Sequence, residues 1–283
     1  MRARPMTVLV RDGLRPVFNI LTQRIRSQRL RRARRTCFAW FSSVMVLLWL
    51  GVAQGADTSR VESEALEQAR AALEEARRNF QGQPHRYGEA WRMGKAAFDY
   101  AEFPAVSTNR AKLAEEGIAA CSTAVTLKPD GAEGHYFLAM NRGQLARTKL
   151  IGALRLVTEI EKALKAALAL DARVDHAGPD RSLGLLYFQA PGWPASIGNK
   201  KKARQHLLRA FELDPVYPGN GLALLEAFRQ WHDMKGLRQT AREFESRLGL
   251  MRERFAGKEW EWSWVEWNDR WRSIQSMLRN SSL

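Results

Sequence analysis

Few residues in this chain have the spacing that reactive chemistry requires. The five histidines are His85, His135, His176, His206 and His232. None belongs to an HExxH pair, and none has Cys or carboxylate neighbours at the intervals that bring ligands round one metal ion. The sequence has neither a GxSxG nucleophile elbow nor a phosphate-cradling GxxxxGK[ST] loop. Gly219-Asn-Gly221 precedes a helical pattern and reads as a turn. His135 is expected to pack at a helix crossing, and His176 to sit in a turn or cap. These patterns predict no catalytic residue, no cofactor and no metal.

The remaining candidates suit binding. Pro191, Trp193 and Pro194 stiffen a loop that carries an indole. That ring either lines a ligand cleft or packs on a neighbouring helix. Lys200, Lys201 and Lys202 follow in the first turn after Asn199. Positive charge there opposes the helix dipole, at a cost of about 0.3–1 kcal/mol each when exposed. Either the turn is solvated and screened, or it faces an anionic partner or lipid headgroups. With Tyr187 and Asn220, these residues form the candidate partner or ligand surface. Trp260, Trp262, Trp264, Trp267 and Trp271 are five of the ten tryptophans. Positions 260, 264, 267 and 271 fall on one helical stripe. The stripe is expected to cover the exposed end of a helical array; an aromatic platform or a membrane-interface contact is the alternative. Glu259, Glu261, Glu266 and Asp269 interleave with the rings and would repel phosphates, which argues against base stacking.

The charge is unevenly placed. Of the formal net charge of +15, ten units lie in residues 1–36, which hold eleven Arg and one Asp, so five remain for residues 57–283. A mildly basic body is no footprint for nucleic acid. The basic stretch Arg24–Arg35 is followed by an uncharged apolar run from Cys37 to Ala53, then by Ala53-Gln-Gly55-Ala56. That order describes a secretory signal cleaved after Gly55; an uncleaved membrane anchor is the alternative. Both place the body in the periplasm or otherwise outside the cytoplasm. Cys121 is the only cysteine beyond the leader, so the body has no intrachain disulfide framework.

The elements that must position these residues are helical. Ala124-Val-Thr-Leu127-Lys-Pro129, Ala167-Leu-Ala-Leu170-Asp-Ala172 and Ala210-Phe-Glu-Leu213-Asp-Pro215 repeat one helix ending at intervals of 43 residues. A period of this size marks stacked helix pairs. Ser59-Arg-Val-Glu62 reads as a capping box opening a helix from Val61 to Phe80. Further helices are expected over 86–101 and 111–127. A pair opens at Ala132, its first helix stopped by Gly143, followed by the long run Thr148–Leu170. A third pair starts after Gly178-Pro179 and resumes at Gly198-Asn199, and a fourth occupies Leu222–Trp231 and Leu237–Leu248. No stretch alternates as a strand would. The fold class is therefore all-α, with antiparallel helix pairs stacked as a solenoid and a Trp-rich capping helix. The expected divisions are 1–36, a basic extension; 37–56, a signal peptide or anchor; 57–250, the repeats; and 251–283, the capping segment.

The third pair, with Leu183-Gly184, Tyr187, Ala203, Ala210 and Asp214-Pro215, resembles a tetratricopeptide repeat. Small residues at 184, 203 and 210 suit close helix approach, and Tyr187 would fill the gap between units. The segment from His176 to Asn220, and more broadly residues 130–250, resembles the periplasmic T component of TRAP transporters. That resemblance implies a non-enzymatic solenoid working beside a transporter's solute-binding subunit, with a pore or cleft through the array. The family's best-known member is a lipoprotein, whereas this leader has no small-residue-Cys lipobox at its cleavage region, a departure that weighs against lipid anchoring and, with it, the transporter role. The expectations are a repeat scaffold for another envelope protein, a membrane-anchored assembly factor, or a small-ligand binder or enzyme with a site near Trp193.

Overall fold

The computed structural model describes residues 48–149 and 153–280. The expected basic extension and most of the expected signal or anchor segment lie outside the described residues. Among the described residues no helix is long and apolar enough to cross a membrane. The helices are α1 (Leu48–Gly82), α2 (Tyr87–Ala101), α3 (Arg110–Leu127), α4 (Ala132–Thr148), α5 (Ala153–Leu170), α6 (Val174–Gln189), α7 (Lys200–Leu213), α8 (Pro218–Gln230), α9 (Met234–Ser246), α10 (Leu248–Arg254) and α11 (Lys258–Asn280). Four pairs, α2–α3, α4–α5, α6–α7 and α8–α9, pack side by side, and each first helix touches the first helix of the next pair.

The 43-residue period has a direct structural cause. Helices α3, α5 and α7 end at Leu127, Leu170 and Leu213. At each end the next backbone N–H donates to the buried alanine three residues before that leucine: Lys128 to Ala124 (2.9 Å), Asp171 to Ala167 (2.9 Å) and Asp214 to Ala210 (3.2 Å). All three alanines are fully buried. A methyl group at that position lets the neighbouring helix approach closely, so the last turn of each second helix is set by packing as well as by propensity.

Some boundaries differ from expectation. Helix α1 runs unbroken from Leu48 through the Ser59–Glu62 box, because no proline intervenes and single glycines only weaken a helix. Helix α4 continues through Gly143, which is buried, and on to Thr148. One glycine costs about 1 kcal/mol in a helix interior, which the packing of α4 between its neighbours offsets. His135 is not a packed core residue: its ring nitrogen lies 2.8 Å from the Pro129 carbonyl at the partly exposed rim. Gly134 takes the close approach instead, its N–H donating to the Tyr87 hydroxyl (3.2 Å).

The Trp-rich helix covers the last pair, as a cap would, and also reaches back to α1. Helix α11 packs across α8 on one side and α1 on the other, so it bridges the last pair to the first. Trp260, Trp267 and Trp271 are buried against the fourth pair, and Trp264 is partly buried. Trp262, off the stripe, is also buried, stacking on Phe103 (6.4 Å) in the core of the first pair. Arg270 makes a forked ion pair with Glu226 of α8 (3.0 and 3.2 Å). A helix with apolar rings on two sides must be covered on two sides; capping the last pair alone would leave Trp262 in water.

One buried carboxylate resists ionisation. Asp99 on α2 is 4% exposed. Burial pushes its pKa up to about 7, despite the Lys95 ammonium 2.5 Å away. A carboxyl with a raised folded pKa keeps a proton that the unfolded chain releases, so its contribution to stability falls as pH rises from 3.8 towards 7. The melting temperature is expected to drop between pH 5 and pH 8, and Asp99→Asn to flatten that drop; thermal melts followed by circular dichroism measure both. Parallel pH curves for the two proteins would count against a neutral Asp99. Trp267→Ala, which empties the middle of the bridge, is expected to cost about 3–5 kcal/mol in denaturant unfolding, and the half-buried Trp264→Ala clearly less.

Candidate functional site

Helix α6 opens with a turn of the wrong hand. Asp175, His176 and Ala177 have φ/ψ of 50/50°, 57/53° and 61/32°. None is glycine, and left-handed backbone costs an L-residue about 1–2 kcal/mol. Strain of this kind persists only where surrounding groups over-determine it. Here the determinant is Arg181, which is 1% exposed. Its guanidinium donates to the carbonyls of His176 (2.9 Å) and Asp175 (3.2 Å), to the Asp175 carboxylate (3.0 Å) and to Asn220 Oδ1 (2.9 Å). It also lies over the Tyr217 ring at 4.9 Å. From the other side Tyr136 donates its hydroxyl to Asp175 (2.7 Å). Burial first, and the Asp175 charge second, push that phenol's pKa well up, so it stays a donor. Gly178 closes the turn. A Cβ there would come within 2.6 Å of the Tyr136 ring. Pro179 then enters the right-handed helix, where its missing N–H costs nothing.

The second wall comes from the α7–α8 junction. Asn220 Nδ2 lies 3.0, 3.0 and 2.9 Å from the carbonyls of His176, Ala210 and Asp214. Asp214 accepts from His176 Nδ1 (3.0 Å), from Arg254 (3.0 Å) and from the Tyr217 N–H (3.3 Å). Burial raises the Asp214 pKa, but the His176 hydrogen bond and the Arg254 charge outweigh it and hold the carboxyl below its ordinary value. The His176 ring is stacked on Tyr217 (4.6 Å, 5°) with Phe255 and Trp260 at its edge. Between these walls lies a cleft of about 510 Å³, lined by Arg173, Asp175, His176, Leu213, Asp214 and Arg254 among others. Its lining includes no serine, threonine or cysteine to serve as a nucleophile. The cleft can recognise polar and charged groups. Arg173 and Arg254 are exposed at its rim, while the inner donors and acceptors already satisfy one another.

The residues singled out in the sequence are dispersed. Asn220 does not belong to a surface: it is fully buried and holds the left-handed turn. Tyr187 is 2% exposed, its hydroxyl bonded to Glu161 (2.5 Å) and its ring stacked on His206 (5.6 Å), so it too is internal. Pro191 and Trp193 lie on the loop between α6 and α7. Trp193 is 89% exposed, so it does not pack on a neighbouring helix, and it does not line the cleft beside His176. Lys200, Lys201 and Lys202 are all exposed, with Lys200 and Lys202 over the rings of Trp231 (5.5 Å) and Tyr187 (5.1 Å). Sequence reasoning missed Arg181, Asp175 and Arg254. One signal was present: Arg181 shares the inward helical face of Gly184, and a charge on such a face needs a buried partner.

Four stacked helix pairs invite comparison with known repeat folds. A crystal structure of a thermophilic TPR protein from Thermus thermophilus superimposes with a TM-score of 0.53 over 78% of this chain and 98% of that one, at 18% identity. The fold is a tetratricopeptide-like solenoid. At this identity the likeness concerns the fold alone. No protein-family model matches the sequence, and a search of curated proteins found no match. The tetratricopeptide-like arrangement places the left-handed turn at the start of the third pair, where the third and fourth pairs meet. Arg181→Met, which leaves Asp175 buried and unpaired, is expected to cost about 3–5 kcal/mol. Ala177→Gly, which relieves one left-handed residue, is expected to stabilise by up to about 1 kcal/mol. Urea unfolding of both variants checks the pair; a destabilised Ala177→Gly protein would contradict the strain account.

Proposed function

We propose that this chain is an exported, non-enzymatic repeat scaffold that binds another cell-envelope protein, and that the cleft beside His176 receives part of that partner. The carrying observation is the strained turn at Asp175–Ala177, latched by a buried arginine and opening onto the cleft. Costly backbone maintained at a concave polar surface is more usual at recognition sites than in structural connections. The tetratricopeptide-like fold supports the general reading, because stacked helix pairs present extended surfaces to other proteins. In this chain α1 and α11 cover inner helices of the first and last pairs, which makes an open cleft between pairs the more accessible contact. The finer reading, an accessory to a transporter's solute-binding subunit, rests on the sequence resemblance over residues 130–250. Export rests on the leader.

The test is crosslinking in cells with a photoreactive side chain at Arg173, beside a control at Lys235 on the fourth pair, followed by mass spectrometry. A solute-binding protein or transporter membrane subunit captured from Arg173 alone is the expected result. Capture of cell-wall, secretion or outer-membrane assembly factors would discard the transporter reading and keep the scaffold. Equal capture from both positions would remove the cleft from the interface.

A further inference from the structure

The loop between α6 and α7 carries no charge over residues 190–199, and it ends at three lysines in succession. Its backbone is fixed from within. The Gly198 N–H donates to the Pro191 carbonyl (2.8 Å), those of Ala195 and Ser196 to the Gly192 carbonyl (3.1 and 3.3 Å), and that of Asn199 to the Tyr187 carbonyl (2.9 Å). A Cβ on Gly198 would collide with the Ala190 carbonyl, so the loop closes tightly on itself at its base. Ile197 anchors it by packing on the core of the middle pairs. Only the tip faces outward, and there Trp193 is 89% exposed. A rigid support for an indole left in water is costly unless something covers the ring.

The charge beside it narrows what that cover is. Lys200, Lys201 and Lys202 occupy the first turn of α7, and Asn199 caps that helix by accepting from the Lys202 N–H (3.0 Å). The nearby carboxylates are committed: Glu161 to Lys165 and Tyr187, and Asp233 to Arg204. Glu161 is held below its ordinary pKa because those hydrogen bonds and the surrounding positive charge outweigh its burial. Positive charge at a helix N-terminus opposes the dipole, so an anionic surface would relieve it. The tip presents one amphipathic ring to solvent. Tryptophan beside lysine is the pairing found at the membrane–water boundary, where the indole sits at headgroup level and lysine stems reach out to phosphate.

We propose that the loop over residues 190–199 and the Lys200–Lys202 turn form a docking surface for an anionic lipid bilayer, with Trp193 seated among the headgroups. The loop supplies the apolar contact and the lysines supply the attraction, so binding needs both. This contact is separate from the cleft beside His176 and does not depend on what the cleft binds.

The full chain is mixed with vesicles of phosphatidylcholine alone, and with vesicles of equal parts phosphatidylcholine and phosphatidylglycerol, and binding is read by co-sedimentation. Each variant is compared with wild type carrying the same N-terminus, at lipid concentrations below saturation, so that a lipid contact by residues 1–56 is common to both and does not mask the difference. Lys200→Gln and Lys201→Gln are each expected to weaken binding to the anionic vesicles about five-fold and to leave the weaker binding to neutral vesicles unchanged. Vesicles with brominated acyl chains report the ring itself: wild type is expected to lose a larger fraction of its tryptophan emission than Trp193→Phe. Thermal melts matching wild type show that the variants fold. Equal quenching in wild type and Trp193→Phe, or anionic binding indifferent to both lysines, would overturn the proposal. So would a Trp193→Ala protein that binds vesicles normally and loses crosslinking to a protein neighbour.

Discussion

The arrangement of this molecule turns on the burial of one guanidinium. Arg181 is almost fully removed from water, and a buried cation is tolerable only when its donors are satisfied and its charge is met. Two backbone carbonyls, a carboxylate and an amide oxygen do this. Three of those four acceptors belong to residues 175 and 176. Presenting both carbonyls to one planar fork requires the chain to curl the wrong way before α6 begins. The strain of that turn and the desolvation of the arginine are therefore linked, because each makes the other possible.

The same cluster joins consecutive repeats. Asn220 sits at the first turn of α8, accepts from Arg181, and lies against carbonyls at the end of α7 and in the left-handed turn. Asp214 ends α7 and reaches both His176 and Arg254 of α10. In a solenoid each unit contacts only its neighbours. Here a polar network lies across one such junction, and it fixes the register of the third pair against the fourth. Hydrogen bonds have directions that apolar contacts lack, so a slip that would only loosen an oily interface would here leave buried donors unmet.

Helix α11 adds a constraint of a different kind. Stacked pairs are quasi-one-dimensional and tolerate relative motion along the stack. By packing on both α8 and α1, the Trp-rich helix links units that are far apart in sequence and makes the array more nearly a closed body. Its two buried faces explain why the segment holds so many large rings: a bridge must fill the space on both sides, and indoles supply the most area per residue. The Arg270–Glu226 fork sits amid this apolar contact and fixes which carboxylate the helix meets.

The sequence by itself determined the helices and their pairing. The 43-residue recurrence named the ends of α3, α5 and α7 to the residue, because alanine at a close crossing and a breaker or polar residue after the leucine are local requirements. It also marked the segment from His176 to Asn220 as irregular. Other features lay beyond it. The capping box at Ser59 was overridden because a helix end depends on what the preceding residues do, and Gly143 was carried through because packing outweighed propensity. Whether Asn220 faced solvent or the interior, and whether Trp260–Trp271 only covered an end or also spanned the array, only the tertiary structure decided. Those outcomes depend on residues brought together from distant positions. Asn220 meets the left-handed turn forty-four residues away, and Trp262 meets Phe103 across most of the body. A local pattern identifies which face of a helix is apolar but does not identify the surface that will cover it.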